Sequence, residues 1–365
     1  MSSSSQPLVV LAPYGVRTWK DRPRRYLDIQ PMPDKGCAVV DEWFESDDEV
    51  TKHYHLRPRS NASRLVTAFR LIWKNRRAIR DARFIYCLDG MHFSVLLMLA
   101  RVGLFKTAGK TIRRYCFHDS AVRRLAPMLK QAAPAFQLEC ITRQQVEKGA
   151  SLLGEGRMVF RSWKIDTEWY QSDASPQNGA CLLAGNACRD EALVDGLLAL
   201  GIAVTRAGRA DSLQRRFAAQ IANPLFKLAL NTSHPDYLRL LRSSRAVLLP
   251  ILPCDEPAGL TAAMEAIVCE IPILANRSMG IAELFESCRY PLPLIDSLDP
   301  DAWSVALCYL EAQKTSTAFR EALKASRQCL LVQHSILPEG RDWLEILAGA
   351  SSHAAAPATA IPQPA

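Results

Sequence analysis

Glu265 sits where a carboxylate is least expected. It lies inside GLTAAMEAIVCEIPILAN, Gly259–Asn276, an almost wholly apolar stretch with a second carboxylate, Glu270, near its turn. Just upstream, RAVLLPILPCDEPA (Arg245–Ala258) carries Glu256 in a loop rich in Pro, Asp and Glu. The order is an apolar run, a loop, a short helix-like segment, then a second apolar run, IPILAN. Two short apolar runs flanking a helix predict a βαβ unit in a parallel sheet. In such sheets ligands bind beyond the carboxyl ends of the strands, beside helix N-termini. A glutamate early in that helix either faces a ligand there or is a solvated side chain that complements the helix dipole. This stretch alone leaves both readings open.

The elements that would position Glu265 extend through the whole chain. PLVVLAP opens it as a strand, and CAVVDEWF follows near residue 40. RFIYCLDG (Arg83–Gly90), TIRRYCFHDS (Thr111–Ser120, ending in His118–Asp119) and FQLECIT read as further strands, with HFSVLLMLARVGLF as a buried helix between two of them. The pattern restarts at GACLLAGNACRDEALVDGLLALGIAVTRAGR as strand, Gly-containing turn, helix and strand, and HPDYLRLLRSSRAVLLP adds a helix and a strand. Alternation of this kind predicts doubly wound α/β domains. At 365 residues the chain exceeds one ordinary core, so two domains are the expectation. The boundary is placed in the polar link FRSWKIDTEWYQSDASPQNG, giving domains over 1–165 and 166–340 that face each other across a cleft. Residues 341–365 end in an Ala/Pro-rich stretch that reads as a disordered tail.

Composition narrows the class. No apolar run approaches the roughly 18 residues of a membrane span, and the N-terminus lacks the pattern of a signal peptide. The 11 cysteines are odd in number and contain no C-x-x-C pair, which points to a reducing cytoplasm rather than a disulfide framework or a zinc site. The formal charge of +8 is unevenly spread: residues 1–157 hold 27 Lys/Arg against 15 Asp/Glu, while the remainder is net acidic. A basic half suggests an anionic partner, either a membrane surface, nucleic acid or a phosphorylated substrate. Its densest patch, RLVTAFRLIWKNRRAIRDARF (Arg64–Phe84), places Leu65, Ala68, Phe69, Ile72, Trp73 and Ile79 near helical spacing, with Arg70, Lys74, Arg76, Arg77 and Arg80 largely on other faces. This reads as one basic amphipathic helix, either packed on its own sheet or also presenting a basic face to lipid. No basic run is interleaved with stacking aromatics as in a nucleic-acid module. No G-x-G-x-x-G or G-x-x-x-x-G-K-[ST] is present to cradle a dinucleotide or a nucleoside triphosphate.

GLTAAMEAIVCEIPILAN resembles the nucleotide-sugar signature of the GT-B-fold glycosyltransferases, in particular the retaining glycosyltransferase family 4. Ala258, Gly259, Thr261, Glu265, Ala266 and Pro272 match in register. LLAGNACRDEALVDGL resembles the family's Gly-Asn-x-x-Arg-Asp turn at Gly185, Asn186, Arg189 and Asp190. SWKIDTEWY resembles its crossover at Asp166 and Thr167, and YCFHDS its strand end at His118. The chain departs from the pattern at Glu270, where most members carry Gly. Glu256 also departs, standing one position out of register with the family's paired glutamates, and so does the turn Tyr14-Gly15-Val16, which lacks a double glycine.

The resemblance implies transfer of a sugar from a nucleotide-sugar donor to a glycan or lipid-linked acceptor, in bacterial cell-surface polysaccharide synthesis, with no cofactor or metal. Breaking the anomeric bond leaves a diphosphate, whose growing charge is met by a helix N-terminus near Thr261, behind Gly259, and by Arg189. On this reading Glu265 accepts two hydrogen bonds from the vicinal hydroxyls of a ribose. Asn186 and Gly185 line the donor, and His118 and Arg189 are the candidate catalytic groups. Gly15 and Glu256 are further candidates. The expected location is cytoplasmic and peripheral at an anionic inner-membrane surface. The alternatives are a non-catalytic sugar-nucleotide-binding protein of this fold and a sugar-nucleotide epimerase.

Overall fold

A computed structural model describes residues 8–11, 37–40 and 61–336, apart from 89, 117, 171–178 and 209. The turn at Gly15 and the Ala/Pro-rich tail lie outside the described residues. Those described up to Arg161 form one compact unit, and Ser162–Ile336 form another.

The first unit is built on six parallel strands: β1 (Leu8–Leu11), β2 (Cys37–Val40), β3 (Phe84–Cys87), β4 (Thr111–Tyr115), β5 (Phe136–Cys140) and β6 (Met158–Phe160). Their order is β2-β1-β3-β4-β5-β6. Strands buried on both faces read as continuous apolar runs, and for that reason LVVL and FIYC were legible. Alternate side chains supply opposite faces: Val9, Leu11, Ile85 and Cys87 join the large core, while Leu8, Val10, Phe84 and Tyr86 form a second cluster. β5 also carries Glu139, fully buried. Its carboxylate accepts from the Tyr86 hydroxyl at 2.6 Å and from Arg113 at 3.4 Å, partners that a charge withdrawn from water requires.

The basic segment is not one helix. α1 (Asn61–Lys74) stops at Asn75, whose side-chain amide donates back to Leu71 O at 2.9 Å, and α2 (Arg76–Asp81) restarts before Phe84 enters β3. Nor is there one apolar stripe. Ala68, Ile72 and Ile79 are buried, but Phe69 and Trp73 are 43% and 59% exposed. At about 100° per residue, positions 65, 68 and 72 share one face, whereas 66, 69 and 73 form a second stripe beside it. The remaining helices of this unit are α3 (Gly90–Arg101), α4 (Asp119–Lys130) and α5 (Arg143–Leu153).

The second unit has five parallel strands: β7 (Cys181–Ala184), β8 (Val204–Gly208), β9 (Phe226–Leu230), β10 (Val247–Leu249) and β11 (Ile273–Ala275). Their order, β11-β10-β7-β8-β9, reverses between β10 and β7. The helices are α6 (Ala192–Ala199), α7 (Ala210–Arg216), α8 (His234–Ser243), α9 (Leu260–Val268), α10 (Ile281–Ser287), α11 (Pro300–Lys314) and α12 (Thr317–His334). α11 and α12 carry Trp303 and Leu330 into the core. At the far end of α12 the chain returns to where the unit began. Ile165 N donates to His334 O at 2.8 Å, Ile336 N donates to Ile165 O at 3.0 Å, and Thr167 and Ser335 share a hydroxyl hydrogen bond.

Glu270 keeps the left-handed conformation that glycine would have supplied, with φ 55°. Ile271 N donates to Ala266 O at 2.9 Å and Glu270 N to Ile267 O at 3.0 Å, closing α9 in a Schellman motif. The side chain gains a part-exposed ion pair with Arg327 at 3.6 Å. A left-handed non-glycine residue costs about 1–2 kcal/mol, while a pair of this exposure returns about 0–1 kcal/mol. Glu270→Gly is therefore expected to stabilise the protein by about 0.5–1 kcal/mol, read as a higher urea midpoint, with a larger gain when Arg327→Ala is already present.

Candidate functional site

The reversal between β7 and β10 makes the carboxyl edge of the second sheet the place to look for a ligand. Two turns meet there. After β7 the chain makes a sharp turn at Gly185, with φ 92°. A side chain at that position would meet the Arg189 guanidinium, since an added Cβ would sit 2.5 Å from Nη2. Arg189 folds back into its own turn: Nε donates to Ala184 O and Nη1 to Ala187 O, both at 2.7 Å. It is 6% exposed, and burial first, then the nearby Arg206, lower its pKa to about 10. The turn is laced to the one after β10. Asp190 N donates to Pro250 O at 2.9 Å and Leu252 N to Cys188 O at 2.8 Å. Asn276, after β11, clasps Ile251 through both its amide groups, at 2.6 and 2.8 Å. Beneath this edge, fully buried Arg206 makes a bidentate pair with Glu191 at 2.8 and 2.6 Å. The exposed Asn186 lies over the end of β8, where a Cβ on Gly208 would come within 2.7 Å of its Oδ1.

The second turn leads into α9. Gly259 is its N-cap, left-handed at φ 85°, and Thr261 stands exposed on the first turn. α9 is buried except at Thr261 and Glu265, four residues apart and so on one face. Glu265 is in the second turn, one turn deeper than the sequence suggested, and it is not a solvated residue. Tyr170 Oη donates to Oε1 at 2.7 Å and Tyr237 Oη to Oε2 at 2.9 Å. Burial raises the pKa of this carboxyl, and the two phenolic hydrogen bonds act against that rise. Glu256 sits on the intervening loop and accepts from the Cys188 thiol at 3.5 Å. Burial and the neighbouring Cys254 thiol, with Glu256 itself, push the Cys188 thiol up to about 12.

Gly185, Asn186, Arg189, Glu256, Gly259, Thr261 and Glu265 thus gather at one sheet edge. His118 is carried by the other unit. It is exposed at the N-cap of α4, with its carbonyl accepting from Ala121 N at 3.0 Å. Asp166 is buried in the segment that pairs with the end of α12. Arg189 commits two of its three nitrogens, Nε and Nη1, to backbone carbonyls and so shapes its own turn. The sequence did not reveal Tyr170, Tyr237 or the Arg206–Glu191 pair. Among the described residues no group of three His, Cys, Asp or Glu could hold a metal ion.

Two α/β units, each built on its own parallel sheet, define the class: the fold is of the GT-B glycosyltransferase type. The solved structures that share it include a sucrose-phosphate synthase from Thermosynechococcus elongatus (TM-score 0.62, 12% identity, covering 94% of this chain and 98% of that one). A trehalose-6-phosphate synthase, studied for glycosyl transfer with retention, matches at TM-score 0.61 and 13% identity over 94% and 99% of the two chains. MnaA from S. aureus, solved with UDP, matches at TM-score 0.53 and 11% identity over 93% and 95%. No family model matches the sequence. No curated protein matches it either.

Arg189→Ala removes two hydrogen bonds from a charged donor, each worth about 1.5–3 kcal/mol. The expected loss of stability is about 2–4 kcal/mol in urea unfolding, and Arg189→Lys should not restore it, because a single ammonium lacks the fork that reaches both carbonyls.

Proposed function

We propose that the protein is a glycosyltransferase whose nucleotide-sugar donor binds at the carboxyl edge of the second sheet. The observation that carries this reading is the placement of Glu265. Its carboxylate lies on the helix that follows the switch-point turn, on the same face as Thr261. A carboxylate has about four acceptor positions. The two tyrosines fill two of them, leaving positions for the vicinal hydroxyls of a ribose. The diphosphate would then lie toward Gly259 and Thr261, where the first N–H groups of α9 have no carbonyl within the helix. Gly185 and Asn186 border the same space. As the anomeric bond breaks, negative charge grows on the leaving phosphate, and N–H groups already fixed in direction stabilise it without reorganising. His118 remains a candidate for the donor sugar or the acceptor. We take the reaction to be retaining and metal-free, the acceptor to be a glycan or lipid-linked sugar in bacterial surface-polysaccharide synthesis, and the site of action to be the cytoplasmic side of an anionic membrane. The retention studied in the trehalose-6-phosphate synthase and the UDP held by MnaA support this choice of chemistry. A second reading, a sugar-nucleotide-binding protein without turnover, is favoured by the commitment of Arg189 to its own turn.

A panel of UDP-, GDP- and ADP-sugars in thermal shift, followed by assay of released nucleoside diphosphate, separates the two readings. A bound donor raises the melting midpoint by mass action. Binding with release supports the transferase, binding without release in the presence of glycan acceptors supports the second reading, and no binding of any donor defeats both. Glu265→Gln should weaken the bound nucleotide by about 1.5–3 kcal/mol per hydrogen bond lost, measured by calorimetry, and unchanged affinity would remove Glu265 from the site.

For the membrane, the outward stripe of Phe69 and Trp73, stacked at 6.1 Å with Arg76 over the Trp73 ring, joins exposed Arg70, Lys74, Arg77 and Arg80. Among the described residues no helix is long and apolar enough to cross a membrane. We take attachment to be peripheral and carried by this basic, aromatic face, with about 1 kcal/mol per cation near an anionic leaflet, weakening with salt. Co-sedimentation with phosphatidylserine vesicles should fall at high salt and on changing Arg76, Arg77 and Arg80 to Glu. The residue left at high salt should fall with Trp73→Ala. Absence of binding at low salt would refute the membrane location.

A further inference from the structure

Glu265 has partners whose geometry goes beyond holding a helix in place. Tyr170 reaches it from the segment that starts the second unit, 95 residues away in sequence, and Tyr237 reaches it from α8. One phenol lies on each carboxylate oxygen, at 2.7 and 2.9 Å. Tyr170 is 2% exposed, and it is held from behind by the Cys269 thiol on its carbonyl. We propose that Tyr170 and Tyr237 are positioning residues. Together they fix the plane of the Glu265 carboxylate and favour its charged form by donating to both oxygens, leaving one acceptor position on each, so that the site selects a ligand with two adjacent hydroxyls. This rests on the donor-site reading above and names its selector: a ribonucleotide over its 2′-deoxy counterpart.

The physics is that of a carboxylate drawn out of water. Burial favours its protonated form, and hydrogen bonds donated to the charged form oppose that. Burial raises the pKa of Glu265, the hydrogen bonds from Tyr170 and Tyr237 lower it, and the charge of His234 lowers it as well. His234 and Tyr237 face it from α8, Tyr170 from the entry segment and Cys269 from its own helix. Arg189 acts on Tyr237, and Arg242 and Arg327 act on Cys269. A carboxyl with a raised folded pKa stabilises the fold most below its unfolded value, and that contribution is lost as pH rises through the folded pKa. Replacing a phenol with phenylalanine raises that pKa further, so the penalty relative to wild type grows with pH.

The test has two arms. In the free protein, urea unfolding of Tyr170→Phe and Tyr237→Phe is followed from about pH 5 to 8, with His234→Asn as background to remove the histidine's own titration. The expected result is a deficit against wild type that grows with pH and that disappears when Glu265→Gln is also present. A deficit equal at every pH means packing only and overturns the proposal. In the second arm calorimetry measures UDP, GDP and ADP, and the 2′-deoxy form of whichever binds. Wild type should prefer the ribonucleotide, and each Phe variant should lose on the order of tenfold in its affinity, more at lower pH, with little loss for the deoxy form. Equal losses for both forms overturn the selector role. If none of the three binds to wild type, the donor reading fails and the selector role with it, while the first arm still decides whether the tyrosines hold the carboxylate ionised.

Discussion

A carboxylate withdrawn from water sets the terms for the second unit. Left alone, Glu265 would take up a proton or draw the helix toward solvent. Two phenols oppose this, and they come from parts of the chain with no sequence proximity to it: the entry segment and α8. The entry segment is itself fixed by backbone hydrogen bonds to the end of α12. One part-buried carboxylate therefore links α8, α9 and the entry segment, which backbone hydrogen bonds tie in turn to the end of α12. The same logic holds at smaller scale in the first unit, where Glu139 is held by Tyr86 and Arg113.

The turns above the sheet follow a different constraint. A switch point leaves the ends of β7 and β10 side by side, with backbone groups that need partners. Asp190, Leu252 and Asn276 provide them across the reversal, and Arg189 satisfies carbonyls within its own turn. The two turns are thus tied together by hydrogen bonds. On the proposed donor-site reading such ties favour binding, because ordering a loop at the moment of binding would subtract from affinity.

Much of the fold was legible in the sequence because parallel strands buried on both faces are continuous apolar runs. LVVL, FIYC, CLLA and VLL stand out for that reason. β6 and β9 did not stand out: MVF is only three residues, and FKLAL carries an exposed lysine. The break at Asn75 was hidden because the surrounding pattern is otherwise helical, and the side-chain amide that shares the Leu71 carbonyl with the Asn75 backbone N–H leaves no mark on periodicity. Of the candidate site, the glycines and Glu265 were readable, since a left-handed turn and an isolated carboxylate in an apolar run are local signals. Tyr170 and Tyr237 were not, because a hydrogen bond across 95 residues leaves no periodicity. Arg189 was readable as a cation but not as one folded inward, since the direction of its side chain depends on the space that Gly185 leaves open. Glu270 showed that a conformation can outlast the residue best suited to it: hydrogen bonds that close α9 hold φ at 55° without glycine.

The pairing of Ile165 with Ser335 has a topological meaning of its own. Residues 162–336 leave and rejoin at the same spot, with backbone hydrogen bonds between the incoming and outgoing strands of chain. The two ends of residues 162–336 therefore meet. Ends that lie together are what circular permutation tolerates, and new ends opened at a surface turn within 162–336 would leave every strand neighbour in its sheet unchanged.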